Sequence, residues 1–152
     1  MIQRIQSIFL FASLCFLLPL FFVPVVTLLS TNGDIFVFNL TGFYETGIDG
    51  TQYLSRQNSL LVFGILICAL NLITIFMYKR RLLQIRLCIY NILLLIGLIG
   101  VAIFVLRGVQ QIGSFTYHLP VVFPVVSIIL HYLAYRGIRK DELMVQALSR
   151  LR

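Results

Sequence analysis

Leu87-Cys88-Ile89-Tyr90-Asn91-Ile92-Leu93-Leu94-Leu95-Ile96-Gly97-Leu98-Ile99-Gly100-Val101-Ala102-Ile103-Phe104-Val105-Leu106 runs between Arg86 and Arg107 without an Asp, Glu, Lys or Arg. A crossing of the ~30 Å hydrocarbon core needs about 20 apolar residues at about 1.5 Å of helix rise each. This stretch meets that need. Working outward, uncharged apolar runs recur at Ser59–Tyr78 before it, at about Leu119–Tyr135 after it and at about Ser7–Leu29 near the start. The four runs predict an all-α membrane protein, a four-transmembrane-helix bundle that forms a single membrane domain over residues 1–152.

Composition agrees. Of 152 residues, 60% are hydrophobic and 11% charged, against roughly 25% charged in a soluble domain, too few to cover a water-facing surface. Four spans use about 80 residues and leave about 70 for loops and ends, so no sizeable soluble domain fits. A net charge of +7 would point to nucleic acid in a soluble chain. Here the basic residues flank apolar runs, so the expected partner is the lipid bilayer and not nucleic acid.

Charge placement sets orientation. Arg4, Lys79, Arg80, Arg81, Arg86, Arg136, Arg139, Lys140, Arg150 and Arg152 fall on one side of the expected spans, against Arg56 and Arg107 on the other, which puts both termini in the cytoplasm. Lys79, Arg80, Arg81 and Arg86 between the second and third spans, and Arg139 and Lys140 after the fourth, are expected to meet headgroups and fix orientation. The first run exceeds the roughly 7 to 15 residues of a signal-peptide core and has no A-x-A-like site after Leu29, so it reads as an uncleaved anchor. Pro19 and Pro24 should bend its outer half. Cys15, Cys68 and Cys88 fall within or at the edges of apolar runs and read as small buried hydrophobes.

Two exposed segments remain. In the outer loop, residues 30–58, Ile35–Leu40 is β-branched and aromatic, and Thr41-Gly42 turns it back through Phe43–Thr46, the pattern of a small β-hairpin. The hairpin is read either as a lid over helix ends or as a surface for an outer partner. In the tail, residues 136–152, Asp141–Arg152 has helical periodicity, with Leu143, Met144, Ala147, Leu148 and Leu151 on one arc. Asp141 and Glu142 at its start suit the helix dipole. Such an amphipathic C-terminal helix rests on the inner leaflet or docks a partner through Leu143, Met144, Leu148 and Leu151.

Ser13, Asn71, Asn91 and His131 lie within runs, each about 4 to 7 residues, or ~6 to 10 Å, from a cytoplasmic boundary. They form one expected polar layer. Its residues either join helices by hydrogen bonds or build a proton or substrate site with His131 as the titrating group. No carboxylate sits in a run, and C-x-x-C, G-x-S-x-G, H-E-x-x-H, Walker and G-x-G-x-x-G patterns do not occur. No catalytic residue, cofactor or metal is expected. Gly64, Gly97 and Gly100 are candidates for close helix approach.

Three stretches carry a resemblance: Met1-Ile2-Gln3-Arg4-Ile5-Gln6-Ser7, Tyr78-Lys79-Arg80-Arg81-Leu82-Leu83-Gln84-Ile85-Arg86-Leu87-Cys88, and Arg136-Gly137-Ile138-Arg139-Lys140-Asp141-Glu142 with the end Ser149-Arg150-Leu151-Arg152. On these the chain resembles an uncharacterised family of small four-span inner-membrane proteins of Bacteroidota, a domain of unknown function. The resemblance implies a multi-pass protein of a Gram-negative inner membrane and brings no assigned reaction. A long strand-bearing first outer loop and a short second one are also similar in layout to claudin-like proteins, whose paired extracellular cysteines and tryptophan are absent. The functional expectation is a non-enzymatic accessory or scaffold subunit of a membrane assembly, with a membrane-protein partner or a homo-oligomer. The alternative is a protein that handles a small ligand or lipid at the layer around His131.

Overall fold

A computed structural model describes residues 2–30, 35–47, 50–55, 58–78, 80–109 and 113–150. It is mostly helical. The helices are α1 (Ile2–Leu17), α2 (Asn58–Phe76), α3 (Arg81–Val109) and α4 (Phe123–Arg150), and the strands are β1 (Val26–Ser30), β2 (Ile35–Asn39), β3 (Gly42–Gly47), β4 (Gly50–Ser55) and β5 (Gly113–Tyr117). Three stretches are helices long and apolar enough to cross a membrane: Asn58–Phe76, Arg81–Gly108 and Leu119–Val145, with mean hydropathies of 2.5, 2.7 and 1.6. Gln6–Phe21 is a shorter apolar helical segment.

The helices pack with α1 on α4 and α2, and α3 on α2 and α4. Their buried positions alternate in steps of three and four: Gln6, Leu10, Ser13, Leu17 and Leu20 on the first apolar segment, Leu60, Gly64, Ile67, Asn71 and Thr74 on α2, Gln84, Cys88, Asn91, Leu95 and Leu98 on α3, and Ser127, His131, Ala134, Ile138 and Asp141 on α4. A repeat of 3.5 keeps one narrow seam facing the partner helices, as in left-handed helix packing. The residues off the seam are apolar and exposed, among them Phe11, Ile65, Leu93, Ile96, Phe104 and Ile129. Apolar residues all round, with the polar ones turned inward, suit helices solvated by lipid.

The strands form one antiparallel sheet in the order β4-β3-β2-β1-β5. Val26, Leu28, Phe38 and Phe43 on its inner face join Leu17, Leu20, Leu60, Leu95 and Leu98 in a single apolar core. The sheet thus covers one end of the helices. The β2–β3 turn is held by the Asn39 side chain, whose Oδ1 accepts the backbone N–H groups of Thr41 at 3.0 Å and Gly42 at 3.1 Å. Gly42 takes φ 149°, a conformation open to glycine at little cost. The turn buries Leu40 against the helices.

Several expectations are corrected. The run at 7–29 is not one helix: α1 ends at Leu17, a 3₁₀ turn spans Leu18–Phe21, and Val26 opens a strand. Pro19 and Pro24 supply no N–H to continue an α-helix, and the Val25-Val26-Thr27 run beyond them favours extended backbone. The hairpin at 35–46 is present as β2–β3, but within a five-stranded sheet, because β1 and β5 pair beside it in register Val26↔Tyr117 to Ser30↔Gly113. The amphipathic helix expected from Asp141 is no separate element, since α4 runs from Phe123 to Arg150. Asp141 and Glu142 therefore lie far from a helix start, and the dipole argument does not apply to them. Arg81 and Arg86 lie within α3, and Cys15 is exposed, in contrast to buried Cys88. Lys79 and Leu151 lie outside the described residues.

The three glycines also separate. A Cβ on Gly64 would stand 2.4 Å from Leu40 Cδ2 and 2.9 Å from Phe21 Cζ, a Cβ on Gly97 would stand at 3.4 Å from Phe63, and one on Gly100 would meet nothing. Gly64 is where sheet and helices touch. Gly64→Val should destabilise the fold by about 1 to 3 kcal/mol and Gly100→Val by much less, read as the thermal midpoint in detergent. Equal midpoints for the two variants contradict the close approach at Gly64.

Candidate functional site

The polar seam positions gather in the half of the helices away from the sheet. Ser13, Asn71, Thr74, Asn91, Ser127 and His131 have no exposed surface, and Gln6, Gln84 and Asp141 are buried as well. The seam spacing brings them in from all four helices.

On the α1–α4 side, His131 Nδ1 lies 2.9 Å from the Ser127 carbonyl oxygen and 3.0 Å from Ser13 Oγ. A carbonyl oxygen only accepts, so the proton of the neutral ring is on Nδ1 and Nε2 carries the lone pair. Ser127 Oγ donates to the Ser13 carbonyl oxygen at 3.5 Å. On the α2–α3 side, Thr74 Oγ1 donates to the Leu70 carbonyl oxygen at 2.7 Å and accepts from Asn91 Nδ2 at 3.4 Å. Gln84 Nε2 donates to the Thr74 carbonyl oxygen at 3.2 Å. Asn71 Nδ2 reaches the Leu10 carbonyl oxygen on α1 at 3.4 Å and links the two sides.

The layer holds more acceptors than donors. Asn71 Oδ1, Asn91 Oδ1 and His131 Nε2 are buried without a hydrogen-bond partner. All three are acceptors, since the bonds above assign each amide nitrogen and the ring proton. A buried orphan acceptor costs about 1 to 3 kcal/mol. The chemistry left open to the layer is the acceptance of hydrogen bonds, and at His131 Nε2 of a proton.

About two turns from Ser13 on α1 and about three from His131 on α4, Gln6 Nε2 donates to Asp141 Oδ2 at 2.6 Å, and Asp141 Oδ1 is buried without a partner. Gly137 makes room for this pair, because a Cβ there would come within 3.1 Å of Gln6 Cγ. Apolar Leu10, Cys88, Ala134 and Ile138 lie between Asp141 and the layer.

Of the four residues expected at one depth, all are buried; Ser13 bonds to His131, while Asn71 and Asn91 bond to other partners. Sequence reading missed Thr74, Ser127, Gln84, Gln6 and Asp141. Their signal was the three-and-four spacing, which runs Ser127-His131-Ala134-Ile138-Asp141 without a break. His118, just after β5, lies with Nε2 3.1 Å from Thr27 Oγ1 and so ties the end of β5 to β1. Leu143 and Met144 are exposed, and Leu148 and Leu151 belong to side chains outside the described set. Arg80 and Arg86 are exposed, as are Arg139 and Lys140.

Two cavities lie elsewhere. One of about 100 Å³ lies between sheet and helices, lined by Val26, Phe38, Leu60, Leu98, Ala102 and Pro124, and its walls are almost wholly apolar. The other, of about 490 Å³, is an open groove between the start of α3 and α4, lined by Arg80, Arg81, Leu82, Leu83, Glu142 and Val145. Among the described residues no three His, Cys, Asp or Glu side chains cluster as a metal set.

A double-mutant cycle on Ser13→Ala and His131→Leu should give a coupling of about 0.5 to 2 kcal/mol, the range for hydrogen bonds between helices in a membrane. Reversible unfolding in detergent or bicelles measures it. Strict additivity contradicts the bond.

A comparison with curated proteins finds no match. Residues 2–151 match the family model described as Domain of unknown function (DUF4293), and the chain belongs to that family.

Proposed function

We propose that the protein is a four-span inner-membrane bundle, with the sheet on the outer face and both termini in the cytoplasm, that serves as a non-enzymatic accessory or scaffold subunit of a membrane assembly. The fourth crossing is the segment Gln6–Phe21, which is shorter than the other three. Its seam against α4 and the placement of Arg80, Arg81, Arg86, Arg136, Arg139 and Lys140 on the parts of the helices away from the sheet favour a crossing.

The observation that carries the functional reading is where the polar side chains are spent. Ser13, Thr74, Asn91, Ser127 and His131 are fully buried and bond from helix to helix. Such a layer sets helix register and partner helix, as hydrogen bonds between membrane helices do. The groups open to a partner lie at the two ends, on the sheet and on the tail of α4. There Leu143, Met144 and Val145 are 57%, 43% and 48% exposed, on a part of the helix beyond the apolar run.

A second reading has its own support. The three orphan acceptors of the layer favour a protein that takes up a small hydrogen-bond donor or a proton. Loss of function on His131→Asn, with the folded level and the partners unchanged, decides for this reading.

Crosslinking in native membranes, followed by identification of what is recovered, tests the scaffold role. Truncation after Lys140 is unsuitable, because it removes the buried Asp141. The variant Leu143→Glu with Met144→Glu leaves the seam intact and should cut partner recovery several-fold at an unchanged protein level. Recovery of the protein alone under mild solubilisation contradicts the scaffold reading.

A further inference from the structure

The open groove between the start of α3 and the tail of α4 has two kinds of wall. Arg80 and Arg81 line it beside Leu82, Leu83 and Val145, with Glu142 as its one acidic residue. Arg80 and Arg81 stand at the start of α3, whose first turn holds no acidic residue, and Glu142 faces them from α4. The helix N-terminus adds partial positive charge there. Leu82 is 59% exposed in the same wall, next to the exposed apolar stretch of α4.

Depth decides what fits. If the apolar run of α3 spans the hydrocarbon core from Leu87, the Arg81 backbone stands about 9 Å beyond it along the axis. The headgroup layer is about 5 to 7 Å deep on each side, so the Arg81 backbone stands just outside it, and a side chain as long as arginine's reaches back to the plane of the lipid phosphates. A soluble anion would use only the arginines. A molecule with a negative head and apolar chains would use the arginines and the leucine and valine wall together.

We infer that this groove binds an anionic phospholipid of the cytoplasmic leaflet, the phosphate against Arg80 and Arg81 and an acyl chain along Leu82, Leu83 and Val145. The inference rests on the membrane reading above. It goes beyond diffuse attraction of basic residues to headgroups, because it assigns one groove and two arginines.

Native mass spectrometry of the full chain in detergent, titrated with phosphatidylglycerol, phosphatidylcholine or inorganic phosphate, tests it. Phosphatidylglycerol should bind several-fold tighter than phosphatidylcholine. Arg80→Gln and Arg81→Gln should each weaken phosphatidylglycerol roughly fivefold, and Glu142→Gln should not weaken it. Arg136→Gln, at an exposed position outside the groove, should leave it unchanged. Equal affinity for the two lipids, an equal loss on Arg136→Gln, or displacement of bound lipid by inorganic phosphate would overturn the proposal. Circular dichroism of each variant separates lost binding from lost fold. Resistance of the protein to carbonate extraction from membranes tests the membrane reading separately, so a failure of one is distinguishable from a failure of the other.

Discussion

The contact between α1 and α4 through Ser13, Ser127 and His131 is the constraint on which the rest of the structure depends. The first apolar segment is the shortest of the helices, and a strand follows it almost at once. In an apolar environment backbone groups must be satisfied within the element, and an unmatched polar side chain is costly. The hydroxyls and the ring Nδ1 bond across the pair and meet much of both demands, with His131 Nε2 left without a partner. With α1 held there, β1 leaves its end at a fixed place. β1 is the strand that joins β2 to β5, so the whole sheet inherits its position from α1.

The two halves of the seam divide the work. Near the sheet it is apolar, and Leu17, Leu20, Leu60, Leu95 and Leu98 meet the inner face of the strands. Away from the sheet it is polar, and each hydrogen bond selects one register of one helix against another. Apolar packing supplies close contact there but little choice of partner, because lipid tails are as apolar as leucine. Placing the polar residues in one half gives the helices a specified register, while the other half is free to fit the sheet.

How much of this was legible depends on the range of the interaction. The lengths of the uncharged runs are local, and they located α2, most of α3 and the first half of α4. The β2–β3 hairpin is local too, since Asn39, Thr41 and Gly42 write a turn between β-branched runs. β1 was hidden because Val26–Ser30 is apolar on both faces and continues an apolar run, and a short apolar run reads equally as buried strand or helix. β5 pairs only with β1, far away in the chain, so it was lost with it. The polar layer was legible by counting helix rise from each boundary. Its further members were not, because Thr74 and Ser127 are too ordinary in a helix to be noticed one at a time. Asp141 was read as a residue at a helix start that suits the helix dipole, whereas the continuous seam of α4 carries it inward to Gln6.

The account stands or falls on whether α1 crosses the membrane as the partner of α4, with the sheet on one side and the charged turn and both ends on the other. Substituted-cysteine labelling tests this most directly. In a background with Cys15, Cys68 and Cys88 replaced by alanine, single changes Gln3→Cys, Arg80→Cys, Arg139→Cys, Thr41→Cys and Ser114→Cys are exposed to a membrane-impermeant thiol reagent, in sealed vesicles of known orientation. The account predicts that the first three are labelled only from the cytoplasmic side and the last two only from the opposite side. Labelling of Gln3→Cys and Thr41→Cys from the same side would contradict it.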